Sequence, residues 1–203
     1  MRFKITISLF LFTFFFMDCN QISKEKQDEA LVFNQKIVGY SQPVIDKVNS
    51  LLSLIKEHLQ KSIQGRFKPE DITEFSNSFE SLISLIDRNV DSLKALNEFD
   101  PKIPFRQSGI DYLASLKSLL MIQFRELYDL VQKEITRESG IKSAELLLEI
   151  LEKLLSVEKS TKQVQKDFAD KYSLPLEKDP QNREALERQY NACKKQVEQM
   201  KGK

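Results

Sequence analysis

Residues 69–94, PEDITEFSNSFESLISLIDRNVDSLK, decide the fold of this chain. Their apolar residues recur every three or four positions, which is the spacing of one face of an α-helix. Pro69 suits a first helical position, and Glu70 and Asp71 complement the positive end of the helix dipole. The segment therefore predicts an amphipathic helix that buries one side. The residues expected on its buried face are Phe75, Phe79, Leu82, Ile86, Val90 and Leu93.

The preceding segment, from Ala30 to Gln64, shows the same helical spacing. Gly39 and Pro43 interrupt it, and because proline has no backbone N–H we expect a kink at Pro43. Gly65 suits the carboxyl end of this helix. The residues expected on its buried face are Leu31, Val38, Val44, Val48, Leu51, Leu52, Ile55, Leu59 and Ile63.

Two more amphipathic helices follow a linker at residues 99–107, which contains two prolines. Ser108 is the predicted N-cap of the third helix, with Asp111 three positions later. Ser139 and Gly140 mark the corner before a fourth helix that begins at Ile141. The buried faces are predicted to hold Leu113, Leu116, Leu120, Phe124, Leu127, Val131 and Ile135 in the third helix, and Ala144, Leu147, Leu151, Leu154, Val157, Val164, Phe168 and Tyr172 in the fourth.

Long helices with short connections predict an all-α fold, an elongated four-helix up-down bundle with a kinked first helix and a short C-terminal helix. Asp179 and Pro180 form a suitable cap and first residue for that last helix. We expect the bundle domain at residues 30–177 and the C-terminal helix or tail at residues 178–203.

The amino terminus, MRFKITISLFLFTFFFMDCN, has the order of an export signal. Arg2 and Lys4 precede an apolar run that is too short to span a membrane as a helix, and Cys19 stands where a lipoprotein carries its acyl chains. Asp18 departs from the small residues usual before such a cysteine. The alternatives are an uncleaved N-terminal anchor and ordinary secretion with cleavage near Asn20.

Lipidation at Cys19 is the favoured interpretation of this terminus. It predicts a signal peptide at residues 1–18, a polar tether at residues 19–29, and a protein held to a membrane by its N-terminal lipid. The expected location is the cell envelope, at the outer membrane or the cell surface.

Charge and residue supply exclude several classes of function. The formal net charge is +1, so counterion release does not favour nucleic acid as a partner. His58 is the single histidine and lies next to the apolar face, whereas a di-iron bundle needs Glu-x-x-His on two helices. No Gly-x-Ser-x-Gly turn or metal-ligand spacing accompanies it. We therefore expect no metal, no cofactor, no catalytic role for His58 and no enzymatic activity.

Two stretches stand out from the regular apolar pattern. Asn34, Tyr40 and Gln42 interrupt it beside Pro43, where polar groups serve either to satisfy carbonyls freed by the kink or to bind a partner. These three residues are the candidate partner-binding site. The second stretch, residues 166–177, ends the fourth helix with aromatic side chains that we expect to close one end of the bundle.

The segments FNQKIV (residues 33–38) and QKDFADKYSLPL (residues 165–176) resemble those of a family of uncharacterised helical surface lipoproteins from spirochaetes and related Gram-negative bacteria. The resemblance covers residues 28–177 and implies an exported all-helical protein, with no functional residues to transfer. We expect a lipid-anchored bundle that acts through contact with an unknown protein partner. The alternative is a periplasmic binding module that holds a small apolar ligand between its helices.

Overall fold

A computed structural model describes residues 22–64, 66–132, 137–176 and 180–201, and every regular element in these ranges is helical. The predicted all-α class is confirmed. The helices are α1 (Lys24–Ile63), α2 (Pro69–Lys94), α3 (Phe105–Leu119), α4 (Arg125–Val131), α5 (Arg137–Tyr172) and α6 (Pro180–Lys201), and a π-helical turn (Leu120–Phe124) joins α3 to α4 without a loop. No helix within these ranges has the length and hydropathy needed to cross a membrane.

The first three helices pack as antiparallel neighbours, α1 against α2 and α2 against α3. Lys47 of α1 contacts Ser81 of α2, whereas His58, later in α1, lies beside Asp71, earlier in α2. The α2–α3 contacts have the same sense, because Lys117 reaches Asp87 of α2 and Gly109 packs on Leu93 further along it. The buried side chains form one continuous cluster, so α1 to α6 share a single core.

The predicted apolar face of α2 is confirmed: all of its residues are buried except Val90, which is half-buried. The buried face of the third helix also agrees with the pattern wherever the structure describes its side chains. In the fourth helix the prediction is confirmed in part, because Ala144, Leu147, Val157 and Val164 are only half-buried while Leu146 and Ile150, which the pattern did not select, are buried. Side chains of Ile63, Val131 and Ile135, together with Gly65 and Asp179, lie outside the described part.

The start of α1 differs from its prediction in two ways. The helix begins at Lys24, so residues 24–29 of the predicted tether are helical. Val38 was expected in the core, yet it is 37 % exposed, while Phe33 and Ile37 are buried. The reason is that the buried positions repeat every seven residues at 30, 37, 44 and 51, which turns Val38 toward solvent. Pro43 lies inside α1, and the kink stays a prediction.

Helix boundaries differ elsewhere by a few residues. The third helix begins at Phe105 with Pro104 as its N-cap, so Ser108 is not the cap. The fourth helix begins at Arg137 rather than at Ile141. It ends as the sequence predicts: Ser173 takes a left-handed φ of 53°, and the Leu174 N–H donates to the Ala169 carbonyl at 2.9 Å.

Aromatic rings close the end of the bundle near the start of α1. Phe33, Phe99, Phe105, Phe168 and Tyr172 contact one another with ring centroids 4.9–6.3 Å apart. This confirms the aromatic closure expected from the end of the fourth helix. At the opposite end, where α1 meets α2, the rings of Phe67 and Tyr128 pack on His58, and charged side chains lie beside it.

Candidate functional site

The most unusual polar group in the described part of the chain is the His58 imidazole. It is 0 % exposed, and neither ring nitrogen has a hydrogen-bond partner among the described residues. From the sequence we expect this histidine beside the apolar face, without a catalytic role. The structure corrects the position, because it buries the ring in the core. Burial of a polar group without a partner costs about 1–3 kcal/mol of folding stability.

Local sequence explains why the ring is buried. His58 continues the seven-residue series 30, 37, 44 and 51 of buried α1 positions, so the helix directs it inward with its apolar predecessors. The Phe67 ring contacts the imidazole edge to face, with the ring centroids 5.6 Å apart, and the Tyr128 and imidazole centroids lie 6.0 Å apart. Packing by two aromatic rings therefore fixes the orientation of the imidazole.

Two carboxylates from the first turns of α2 face the same imidazole nitrogen. His58 Nε2 lies 3.7 Å from Asp71 Oδ1 and 3.6 Å from Glu74 Oε2. Asp71 is buried because it continues the α2 apolar series backward from Phe75, whereas the Glu74 side chain is 58 % exposed. The three side chains offer ligand atoms that all lie within 4.8 Å of one another.

Hydrogen bonds hold Asp71 in place. Lys61 Nζ donates to Asp71 Oδ1 at 2.7 Å, and the Lys68 backbone N–H donates to Asp71 Oδ2 at 2.8 Å. The Lys61 hydrogen bond, followed by that from Lys68, holds the pKa of the Asp71 carboxyl below its usual range. The Tyr128 hydroxyl donates to the Asp71 carbonyl at 2.9 Å, and burial raises the pKa of that phenol.

A second carboxylate shares Lys61. Glu57 Oε1 lies 2.8 Å from Lys61 Nζ, and this hydrogen bond lowers the pKa of Glu57. The hydrogen bonds to Asp71 and Glu57 raise the pKa of Lys61 in turn. The carboxylates of Glu57, Asp71 and Glu74 outnumber the ammonium of Lys61, so the charged groups around the imidazole carry an excess of negative charge.

This cluster is poorly suited to acid–base catalysis. A general base must come within hydrogen-bond reach of the proton that it takes from a substrate. His58 is sealed from solvent, and of the two carboxylates that face it only Glu74 is exposed. The arrangement can hold a small cation beside Glu74, but it does not present the imidazole to a larger molecule.

The predicted partner-binding residues have separate neighbours. Asn34 Oδ1 accepts a hydrogen bond from Gln165 of α5 at 3.1 Å, and the Tyr40 carbonyl accepts one from Asn89 of α2 at 2.6 Å. Gln42 donates to Asp46 within α1 at 3.0 Å. None of these hydrogen bonds joins two of the three residues, and the partner-binding role stays a prediction. The predicted lipidation site, Cys19, lies outside the described residues.

A groove of about 810 Å³ lies at the other end of the bundle, beside the start of α1. Val32, Phe33, Leu96 and Phe99 give it apolar walls, and Val32 is 51 % exposed. Its charged lining residues are Lys24, Glu25, Asp28, Glu29 and Lys36. The groove is open at the surface, unlike the cavity between helices that a buried ligand would occupy.

Sequence reasoning missed the His58 cluster and this groove. The seven-residue spacing from Leu51 to His58 is a signal that places the histidine in the core. Comparison of the chain with protein-family models, curated proteins and solved structures found no match.

Proposed function

We propose that this chain is an exported, lipid-anchored binding protein of the cell envelope, without enzymatic activity. The groove beside the start of α1 is its binding site, and the acyl chain of a membrane lipid is the ligand. The observation that carries the proposal is the apolar wall of Val32, Phe33, Leu96 and Phe99, bordered by charged side chains.

Chain length supports this choice of ligand. Four residues lie between Cys19 and Lys24 at the groove, which makes five steps along the chain, and an extended chain covers at most about 3.6 Å per step. A lipid on Cys19 would therefore keep the groove within about 18 Å of the bilayer. Tethering at such short range raises the effective concentration of membrane lipids at the groove.

The lining chemistry also suits an amphiphile. Aromatic and aliphatic walls bind a hydrocarbon chain through the hydrophobic effect, and the lysines and carboxylates at the border suit a polar head group. The protein-contact hypothesis has less support, because each of Asn34, Tyr40 and Gln42 is engaged in a hydrogen bond within the fold. The groove thus favours the apolar-ligand alternative, with the ligand at the surface of the bundle.

The test is binding of a fluorescent fatty acid to the purified Cys19→Ser protein, which carries no lipid of its own. Val32→Asp puts a carboxylate among the apolar walls and should weaken binding about ten-fold or more, since a hydrocarbon chain laid over this group would remove its water. Val38→Asp is the matched control, because Val38 is also an exposed valine of α1 but lies outside the groove. Equal binding by the two variants, or no binding by the parent, would refute the proposal.

A further inference from the structure

The cluster around His58 lies far from the groove, near the other end of α1. We propose that His58, Asp71 and Glu74 bind a divalent transition-metal ion, with Zn²⁺ as the best fit. The site differs from the one in the proposed function in its residues, its ligand and its position. It also departs from the expectation, based on the single histidine, that the chain binds no metal.

The spacing of the ligand atoms fits a tetrahedral ion. Zn²⁺ binds imidazole nitrogen and carboxylate oxygen at about 2.0–2.2 Å, so two such atoms at the tetrahedral angle lie roughly 3.3–3.6 Å apart. His58 Nε2 lies 3.6 Å from Glu74 Oε2 and 3.7 Å from Asp71 Oδ1. Both distances are too long for hydrogen bonds. The Glu74 distance lies at the upper limit of the range for two ligands of one ion, and the Asp71 distance lies 0.1 Å beyond it.

The buried imidazole supplies the second observation. His58 is 0 % exposed, Nε2 has no hydrogen-bond partner among the described residues, and two carboxylate oxygens lie in front of it. A bound cation would satisfy this nitrogen. Nδ1 also has no hydrogen-bond partner among the described residues, so no such bond orients the ring. The aromatic contacts from Phe67 and Tyr128 would instead hold it in the orientation that ligation needs.

The surroundings of the carboxylates favour the same ligand. The Lys68 backbone N–H donates to Asp71 Oδ2, which resembles the outer-shell hydrogen bonding of metal-binding carboxylates. Lys61 Nζ donates to Asp71 Oδ1, so this ammonium has to move away from that oxygen when the ion binds. Glu57, Asp71 and Glu74 outnumber the one ammonium of Lys61, so the excess charge has the sign that a cation requires. The exposed Glu74 side chain gives an ion a path from solvent.

The ligand set also selects the kind of metal. Mg²⁺ and Ca²⁺ are bound by oxygen atoms in sites of six or more ligands, whereas imidazole suits Zn²⁺, Cu²⁺ and Ni²⁺. One nitrogen and two carboxylates make a three-ligand site with a position left for water, as in zinc sites with three protein ligands. The fourth position would lie toward the exposed side of Glu74.

The experiment is a Zn²⁺ titration of the purified full-length protein after chelator treatment, followed by calorimetry, with Mg²⁺ as a parallel titrant. We expect one saturable Zn²⁺ site per chain and no Mg²⁺ binding. Glu74→Gln keeps the size of an exposed side chain and should weaken Zn²⁺ binding by at least the roughly 10–100-fold seen for outer-shell changes. Glu80→Gln removes an exposed carboxylate of the same helix away from the site and should leave the affinity unchanged.

Co²⁺ provides a second readout that does not depend on affinity. Bound at this site, it should show the intense visible absorption of tetrahedral coordination without a thiolate charge-transfer band, because the ligands are nitrogen and oxygen. A thiolate band would place the ion on a cysteine and overturn the assignment. Absence of saturable Zn²⁺ binding by the parent, or equal affinity in Glu74→Gln and the parent, would overturn it as well.

Discussion

Replacement of His58 by leucine should stabilise the metal-free protein, although the residue lies in the core. The ring nitrogens have no hydrogen-bond partner among the described residues, and an unsatisfied buried polar group costs about 1–3 kcal/mol. Leucine removes that cost and packs against Phe67 and Tyr128, the neighbours of the ring. The carboxylates keep their other surroundings, since Asp71 stays bound to Lys61 and Glu74 is exposed.

We therefore expect the free energy of unfolding of His58→Leu to rise by about 1–2 kcal/mol in the presence of chelator. At about 2–4 °C per kcal/mol for a chain of this size, Tm should rise by about 2–8 °C. Circular dichroism during heating measures this shift. His58→Gln, which keeps a polar group in the core, should show no gain.

Zinc should reverse the order of stability. An ion that binds only the folded state at 100 times its Kd adds about 2.7 kcal/mol, so the parent should become more stable than His58→Leu, whose Tm should not respond. A His58→Leu protein that melts below the parent in chelator by more than about 1 kcal/mol would refute the reasoning, because the imidazole would then make favourable interactions in the metal-free state.

Two further outcomes concern the anchor and the aromatic end. Cys19→Ser should move the protein from the detergent phase to the aqueous phase, since a lipid-anchored protein partitions through its acyl chains; unchanged partitioning would contradict lipidation. Acid should destabilise the parent through Asp100, whose pKa is lowered mainly by its hydrogen bond from Lys171. Stability from this carboxylate is fully present above its unfolded pKa of about 3.9 and is lost as the pH falls through the lower folded value. Chemical unfolding between pH 6 and pH 2 should show a smaller loss in Asp100→Asn, and an equal loss in both proteins would contradict this role.

Helix-level features of the fold were predictable because they depend on local spacing. The α2 face from Phe75 to Leu93 needs only the rule that residues three or four apart share a side. The start of α1 shows where that rule is insufficient. Ile37 and Val38 are both apolar and are adjacent in the sequence. The seven-residue spacing of the other buried positions in the helix decides that Ile37 is the buried one.

The His58 cluster depends on contacts that sequence spacing does not reveal. Asp71 was recognised as a residue that complements the α2 dipole, and its bond from the Lys68 N–H agrees with that position. Its approach to His58 depends on how the connection between α1 and α2 aligns the two helices. Each residue alone looks ordinary in the sequence, and their chemistry appears only when the two buried series meet at the same end of the bundle.

The groove and the proposed ion site lie near opposite ends of α1. His58 comes thirty-four positions after Lys24 at the groove, which corresponds to about 50 Å along α1. An anchor at Cys19 would hold the aromatic end and its groove at the membrane, while the proposed ion site would lie at the far end. An ion there joins α1 to α2 and so stabilises the packing of the bundle without entering the groove. Loss of zinc binding in Glu74→Gln should therefore leave fatty-acid binding intact, and loss of fatty-acid binding in Val32→Asp should leave zinc binding intact.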